Sequence, residues 1–149
     1  ARGNNQAIRV ARGEWVFLLN NDAAADPRAV EELMAFVKDR PEVGMLACRV
    51  VRHDRPNFFD STGLLLYPDG VCRSRGWEEK DLGQYDRPEE VLAPHGCAAA
   101  YRRRMLDEIG LFDEAYFAYG EDLDLGMRGQ LCGWPCVSQT SVFEIHRTP

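Results

Sequence analysis

A run of five apolar residues, Trp15 to Leu19, constrains the fold of this chain more than any other feature. Because the run does not alternate between apolar and polar residues, it predicts a strand with both faces buried, as in a parallel sheet covered by helices. The polar residues Asn20, Asn21 and Asp22 follow directly. Ligands bind beyond the carboxyl ends of strands in open α/β sheets, which makes these three side chains candidate binding residues. An ordinary turn is the alternative, since the same residue types dominate turns.

The next segment predicts a helix and a second strand. Asp26 suits the N-cap of a helix, Pro27 its first position, and Pro41 the region after its end. Apolar and β-branched residues then predict a strand over 43–51. A strand, a helix and a strand form a βαβ unit, whose crossover rule makes the two strands parallel. The predicted fold class is therefore α/β, with a single domain over residues 1–149.

The middle and the end of the chain predict shorter elements. Residues 63–73 contain a Pro-Asp-Gly turn between apolar segments, which predicts a hairpin or a bent loop. The charged segment 77–90 predicts a surface loop or a mobile lid. Small residues over 97–101 predict a short buried strand, residues 104–109 a short helix, and residues 137–144 a last strand.

Glu121 and Asp122 begin a second predicted helix, over 121–131, that ends before Gly133. Its expected buried face carries three apolar residues at helical spacing: Leu123, Met127 and Leu131. Two explanations fit the acidic pair. It is either a charged first turn favoured by the helix dipole, or it supplies a general base aimed into a pocket walled by the aromatic segment 112–119.

Two further positions have both a structural and a functional interpretation, and one further pair has a structural one. Gly96 lets either a ligand or a neighbouring strand approach the backbone. His146 is a candidate metal ligand or a packed histidine. Asp124 and Arg128 are four residues apart in the predicted helix, which favours a surface ion pair.

Charge and cysteine content narrow the class of protein. Eighteen Lys and Arg against 24 Asp and Glu give a net charge of −6, which argues against a nucleic-acid partner because such binding depends on phosphate neutralisation. The five cysteines are odd in number and lack the spacing of a zinc site. Unpaired cysteines are typical of a reducing compartment, so we expect a cytoplasmic protein.

Several of these segments together resemble the motifs of family 2 glycosyltransferases. The matching segments run in the family's order and span almost the whole chain: Gly13–Asp22, Gly96–Arg103, Gly110–Glu114, Tyr119–Leu125 and Arg128. The resemblance implies a GT-A fold, which is a Rossmann-like nucleotide-diphospho-sugar transferase domain. The family's opening portion, which binds the nucleotide base, is expected before Ala1, so the domain over 1–149 is expected to be N-terminally incomplete.

On the donor side, the resemblance implies that Asp22 is the aspartate of the metal motif and binds Mg²⁺ or Mn²⁺. Asn20 and Asn21 stand at the other positions of that motif and would contact the nucleotide-diphospho-sugar. His146 matches a late histidine that some members use on the metal or the diphosphate.

On the acceptor side, the resemblance implies that Asp122 is the catalytic base and that Glu121 and Gly96 contact the acceptor. The implied reaction is inverting transfer of a hexosyl or deoxyhexosyl group to a glycan or lipid-linked acceptor in polysaccharide or cell-envelope glycan synthesis. The reaction would take place in the cytoplasm or at the cytosolic face of a membrane. Segments that flank this chain would provide the membrane association.

Other classes of function fit the residues to different degrees. A catalytically inactive GT-A-like module that binds glycans or a partner stays open as the alternative. A nucleotidyltransferase would need a Gly-rich phosphate loop near the N-terminus, and none is visible in the sequence. A glycosidase fits less well, because the adjacent side chains of Glu121 and Asp122 should diverge rather than face each other.

Overall fold

The structure is a computed structural model that describes residues 1–139 and 145–147. The helices in these ranges are α1 (Arg2–Val10), α2 (Ala29–Val37), α3 (Arg103–Ile109) and α4 (Glu121–Leu131). The strands are β1 (Trp15–Leu19), β2 (Ala23–Ala25), β3 (Met45–Cys48), β4 (Val50–Arg52), β5 (Phe59–Ser61), β6 (Leu64–Leu66), β7 (Cys72–Ser74), β8 (Glu89–Val91), β9 (Ala98–Arg102), β10 (Cys136–Gln139) and β11 (Ile145–Arg147).

The strands form a central five-stranded sheet and two smaller sheets. The central sheet has the order β1-β9-β3-β10-β8, a second sheet has the order β2-β11-β4-β5, and β6 pairs with β7 as a hairpin. In the central sheet only β3 and β10 are parallel neighbours, and the other pairs are antiparallel. This mixture of α-helices and a mixed sheet confirms the α/β fold class.

The predicted parallel pairing of the first two long strands is wrong in one respect. β1 and β3 run in the same direction, but β9 lies between them and is antiparallel to both. β9 fits this central place because Ala98, Ala99 and Ala100 are small and fully buried, which lets layers on both faces approach the strand closely.

β1 differs from a fully buried strand of a parallel sheet. It lies at the edge of the central sheet in the described part of the chain, and only Val16 is buried. Both faces are nevertheless covered, since Val16 packs with one core cluster and Trp15 and Phe17 pack against another. The edge position explains the partial burial, because it leaves one side of the strand without a paired neighbour among the described residues.

The core lies on both faces of the central sheet. Leu33 and Val37 of α2 pack on one face together with Ala98 and Ala100. On the other face, Ala99 and Tyr101 of β9 pack with residues of α1, α3 and α4. The helical residues are Ile8, Met105, Leu106 and Leu125. Successive residues of a strand point to opposite faces, so β9 alone contributes to both halves of the core.

The strand predicted over 43–51 is two strands in two different sheets. β3 ends at Cys48 and β4 begins at Val50, so Arg49 marks the break. The Arg49 guanidinium forms an ion pair with Asp81 and lies over the Phe59 ring. A partly buried charge with these partners favours a change of direction over a continued apolar strand.

Helix α2, the first helix that the sequence predicts, begins later than predicted. Residues 26–28 form a turn, in which the Arg28 amide donates to Asp26 Oδ1 at 2.8 Å, and α2 begins at Ala29. The short strand β2, which the sequence did not predict, occupies the three residues before Asp26.

The bounds predicted for α4 are confirmed, but its predicted buried face is wrong. Met127 and Leu131 are exposed, whereas Leu125, Gly126 and Gly129 are buried. A Cβ built on Gly126 would lie 2.2 Å from Ala93 Cβ. The helix therefore packs by its glycine face, where the backbone itself comes close to its neighbours.

Several local predictions are confirmed. The hairpin is formed by β6 and β7, the strand of small residues is β9, the short helix is α3, and β10 begins the last predicted strand, of which residues 140–144 lie outside the described part. The predicted loop or lid at 77–90 is a surface segment up to residue 88, whereas Glu89 and Glu90 belong to β8 of the central sheet. The contacts that hold the segment include the Asp81–Arg49 ion pair and the edge-on packing of Tyr85 against Phe59 at 5.4 Å. Within the described residues, no helix combines the length and the apolar character that crossing a bilayer requires.

Candidate active site

The end of β1 meets the segment that precedes β9. Their antiparallel register pairs Leu19 with Ala98, so the next residue, Asn20, lies beside Cys97. The Asn20 amide donates to the Cys97 carbonyl at 2.9 Å. A polar turn and a segment more than 70 residues later in the chain are thus joined at one end of the sheet.

Asp122 is held against the same segment. The Gly96 amide donates to Asp122 Oδ2 at 2.9 Å, and the Leu123 amide donates to Oδ1 at 2.8 Å. Each carboxylate oxygen has a second lone pair, so Asp122 can still accept a proton or a hydrogen bond from a ligand. The two amide bonds fix the carboxylate in one orientation at the N-terminus of α4.

Gly96 is required by this approach. A Cβ on Gly96 would lie 3.1 Å from Asp122 Oδ2, which is closer than most Cβ contacts. A larger residue would therefore push the carboxylate away from its present position. The structure thus supports a specific packing role for Gly96, next to the predicted acceptor site.

A cavity of about 210 Å³ opens at this junction. Four of the predicted site residues line it: Asn20, Gly96, Glu121 and Asp122. The sequence analysis did not single out three other polar residues of the lining, which are Asn4, His95 and Tyr101. The period of two along β9 could have identified Tyr101, since it places Tyr101 on the same face as Ala99.

His95 and Glu121 give the cavity polar groups of opposite character. His95 Nδ1 accepts the Cys97 amide at 3.3 Å, which leaves Nε2 as the ring nitrogen that can donate. Glu121 Oε2 is buried and has no hydrogen-bond partner among the described residues. The cavity therefore contains a histidine donor and a carboxylate acceptor beside Asp122.

Only part of the predicted aromatic wall is formed. Phe112 and Tyr119 line the cavity, whereas Tyr116 and Phe117 are exposed and do not. Phe112 is held by buried Asn5 of α1, whose side chain accepts the Phe112 amide and donates to the Phe112 carbonyl.

The predicted pair of Asp124 and Arg128 is present at 2.8 Å, but it is more than a surface ion pair. Arg128 also donates to the carbonyls of Ile109 and Leu111. It therefore connects α4 to the segment that leads into Phe112.

The predicted metal residues are not among the residues that line this cavity in the described part of the chain. Asp22 lies in a turn closed by the Ala23 amide, which donates to the Asn20 carbonyl at 3.1 Å, and Asn21 is exposed in the same turn. Strand pairing aligns the backbone of His146 with Ala24, and the side chain of His146 lies outside the described residues.

The donor set around Asp22 fits an ion that a substrate would share. In the described part of the chain, no group of three or more His, Cys, Asp or Glu side chains could hold a metal by itself. Mg²⁺ and its relatives are commonly bound by one or two carboxylates together with substrate phosphates. One carboxylate two residues from Asn20, which lines the cavity, matches that pattern.

A family model and several named proteins are similar to this chain. All residues, 1–149, match the family model "Glycosyltransferase like family 2". The chain is 27% identical over 146 residues to the O-antigen biosynthesis protein RfbC of Myxococcus xanthus, covering 92% of this chain and 11% of that protein. It is also 27% identical over 146 residues to an N-acetylglucosaminyl-diphospho-decaprenol L-rhamnosyltransferase of Mycobacterium tuberculosis H37Rv, covering 89% of this chain and 47% of that protein.

Among solved structures, the chain is similar to GalNAc-T7, crystallised with UDP, GalNAc and Mn²⁺, with a TM-score of 0.70 and 13% identity over 99% of this chain and 30% of that chain. At this identity the likeness shows the fold, and it confirms the predicted GT-A architecture. Because the family model matches all of residues 1–149, the chain belongs to the family 2-like glycosyltransferases.

Proposed function

We propose that this protein catalyses inverting transfer of a sugar from a nucleotide-diphospho-sugar to a hydroxyl group of a glycan or lipid-linked acceptor. The observation that carries the proposal is the placement of Asp122. Its carboxylate is fixed by the Gly96 amide at the edge of a cavity that Glu121 and Asn20 also line.

In the proposed step, the acceptor hydroxyl oxygen forms a bond to the anomeric carbon of the donor sugar. The hydroxyl proton goes to Asp122, and the bond between the anomeric carbon and the diphosphate oxygen breaks. The nucleoside diphosphate leaves with that electron pair from the opposite face, so the anomeric configuration inverts. Glu121 accepts a hydrogen bond from the acceptor sugar and orients it.

Asn20, Asn21 and Asp22 bind the donor in this proposal. Asp22, with His146 aligned beside the same turn, would hold a divalent cation, Mg²⁺ or Mn²⁺. Such an ion, when bound, neutralises the negative charge that builds on the leaving diphosphate. The oxygen donors of the asparagines and the aspartate suit these hard cations.

The similar proteins suggest a substrate class. One is an L-rhamnosyltransferase that acts on a decaprenol-linked sugar, and the other belongs to O-antigen biosynthesis. We therefore propose hexosyl or deoxyhexosyl transfer in polysaccharide or cell-envelope glycan synthesis. A lipid-linked acceptor would place the reaction at the cytosolic face of a membrane.

The full-length protein, assayed with nucleotide-diphospho-sugars and a panel of octyl glycosides in the presence of Mn²⁺, tests the proposal. Because general base catalysis supplies roughly 10²–10⁴-fold, Asp122→Asn should lower kcat by about that factor. Asn preserves the shape of the side chain and one acceptor oxygen, so the fold should persist in circular dichroism.

Asp107→Asn is the matched control, because Asp107 is exposed on α3 and does not line the cavity. Its transfer rate should equal that of the wild type. NMR of the product should show an anomeric configuration opposite to that of the donor. Normal turnover by Asp122→Asn would contradict the role of the base, and binding of glycosides without any transfer would favour an inactive binding module.

A further inference from the structure

The Tyr101 hydroxyl is a buried polar group at the candidate site that the proposed chemistry leaves unexplained. Tyr101 is 0% exposed, and its hydroxyl has no hydrogen-bond partner among the described residues. Most buried hydroxyl groups in proteins are hydrogen-bonded, and an unpaired one is unfavourable. Since Tyr101 also lines the cavity beside Asp122, a ligand can supply the missing partner.

The surroundings of Tyr101 hold its ring in place. Its backbone pairs with Val16 on one side and Met45 on the other, in the centre of the sheet. The Phe112 ring packs against it edge-on, with centroids 5.6 Å apart. These contacts hold the Tyr101 ring in one position beside the cavity.

The charges around the cavity define what that partner can be. Burial raises the pKa of Tyr101, and the negative charges of Asp122 and Glu121 add to the effect, so the group stays a neutral O–H donor. Glu121 Oε2, which also has no partner among the described residues, is an acceptor in the same cavity. A sugar hydroxyl can accept from the tyrosine and donate to the carboxylate, which neither a carboxylate nor an ammonium group can do.

We propose that Tyr101 donates a hydrogen bond to a ring hydroxyl of the acceptor sugar, at a position other than the attacked one, and thereby determines which acceptor is used. This inference rests on the proposed function and adds a specificity-determining contact to it. Tyr101 does not take part in the proton transfer itself.

The test compares the full-length wild type with Tyr101→Phe, using the octyl glycoside that the wild type uses best and its monodeoxy analogues. The wild type should discriminate against one analogue by about tenfold in kcat/KM, the effect of one net hydrogen bond. Tyr101→Phe should use the parent and that analogue equally well, with its loss on the parent mainly in KM. Discrimination against the other analogues should be unchanged.

Tyr85→Phe is the matched control. It also removes one hydroxyl, but that group donates to Glu79, and Tyr85 does not line the cavity. Its acceptor discrimination should equal that of the wild type. The melting temperature of Tyr101→Phe should be no lower than that of the wild type, because the substitution removes an unpaired buried hydroxyl.

The outcomes separate the two proposals. If the wild type transfers sugar but Tyr101→Phe retains the full discrimination, the role of Tyr101 is overturned while the proposed function stands. A large drop in the melting temperature of Tyr101→Phe would show that the hydroxyl has a structural partner, which also overturns it. Absence of transfer by the wild type to any glycoside would reject the proposed function and this inference with it.

Discussion

At the scale of single residues, the candidate site depends on Gly96. Its amide binds Asp122, and its lack of a side chain lets the carboxylate come within hydrogen-bond distance. Asn20 is joined to the same segment through the Cys97 carbonyl. Residues 96–97 thus position both Asp122, the proposed base, and Asn20, a proposed donor-binding residue.

Gly96→Ala should lower kcat about tenfold or more without unfolding the protein. The reason is that moving a reacting group by up to about 1 Å greatly lowers the rate of the chemical step. The added Cβ would lie 3.1 Å from Asp122 Oδ2 and force the carboxylate to move. Steady-state kinetics of the full-length protein measures the effect, and denaturant unfolding should show a change within about 0.5 kcal/mol. An unchanged kcat would mean that the Gly96 contact does not position Asp122 for catalysis.

At the scale of elements, α4 determines where Asp122 lies. Its glycine face packs on Ala93 and Met45, with hypothetical Cβ contacts of 2.2 Å at Gly126 and 2.8 Å at Gly129. This close packing brings the N-terminus of α4 against the segment before β9. Asn5 of α1 and Arg128 of α4 hold the intervening segment 109–114, which carries Phe112 into the cavity wall.

Gly126→Ala should destabilise the protein by about 1–3 kcal/mol, the usual cost of overpacking, although alanine is the better helix former. The added methyl would collide with Ala93. Gly3→Ala is the control, since it lies in α1 and a Cβ there meets nothing within 4 Å. It should stabilise the protein by about 0.5–1 kcal/mol. Urea unfolding of both variants measures the difference, and two shifts of the same sign would contradict the close packing of α4.

At the scale of the whole molecule, the central sheet has helices on both faces and the candidate site at one end. The site collects residues from five separate parts of the chain: Asn4, residues 18–20, residues 95–101, Phe112 and residues 119–122. The five cysteines differ in their exposure to solvent. Cys48, Cys97 and Cys136 are buried, Cys72 is half-buried and Cys132 is exposed, and all five are thiols.

Alkylation of the native protein at mildly alkaline pH should modify Cys132 first and Cys72 more slowly. Burial and the nearby Asp122 raise the pKa of Cys72, which lowers its reactive thiolate fraction. Burial raises the pKa of Cys48 and Cys136 further, so these thiols should react only on unfolding. Peptide mass spectrometry over time measures the order, with a denatured sample as the control. Early modification of Cys136 would contradict the packing of the central sheet.

Much of the local structure followed from the sequence. Helix α4 begins at Glu121 and ends at Leu131 as predicted, and α3 ends before Gly110, whose φ is +84°. The hairpin of β6 and β7 follows from its Pro-Asp-Gly turn. These features depend on neighbours a few residues away, and caps, turns and glycines act over that distance. The residues proposed for donor and acceptor binding came from the resemblance of whole motifs.

Only the tertiary structure decided which distant segments meet. It placed β9 between β1 and β3, turned the glycine face of α4 inward, and brought Tyr101 into the lining of the same cavity as Asp122. The sequence by itself determined the bounds of α4, the end of α3 and the turn between β6 and β7, because those depend on short-range backbone preferences. Strand order and helix faces depend instead on how side chains far apart in the chain fill a shared interior, and packing of that kind has no local signal.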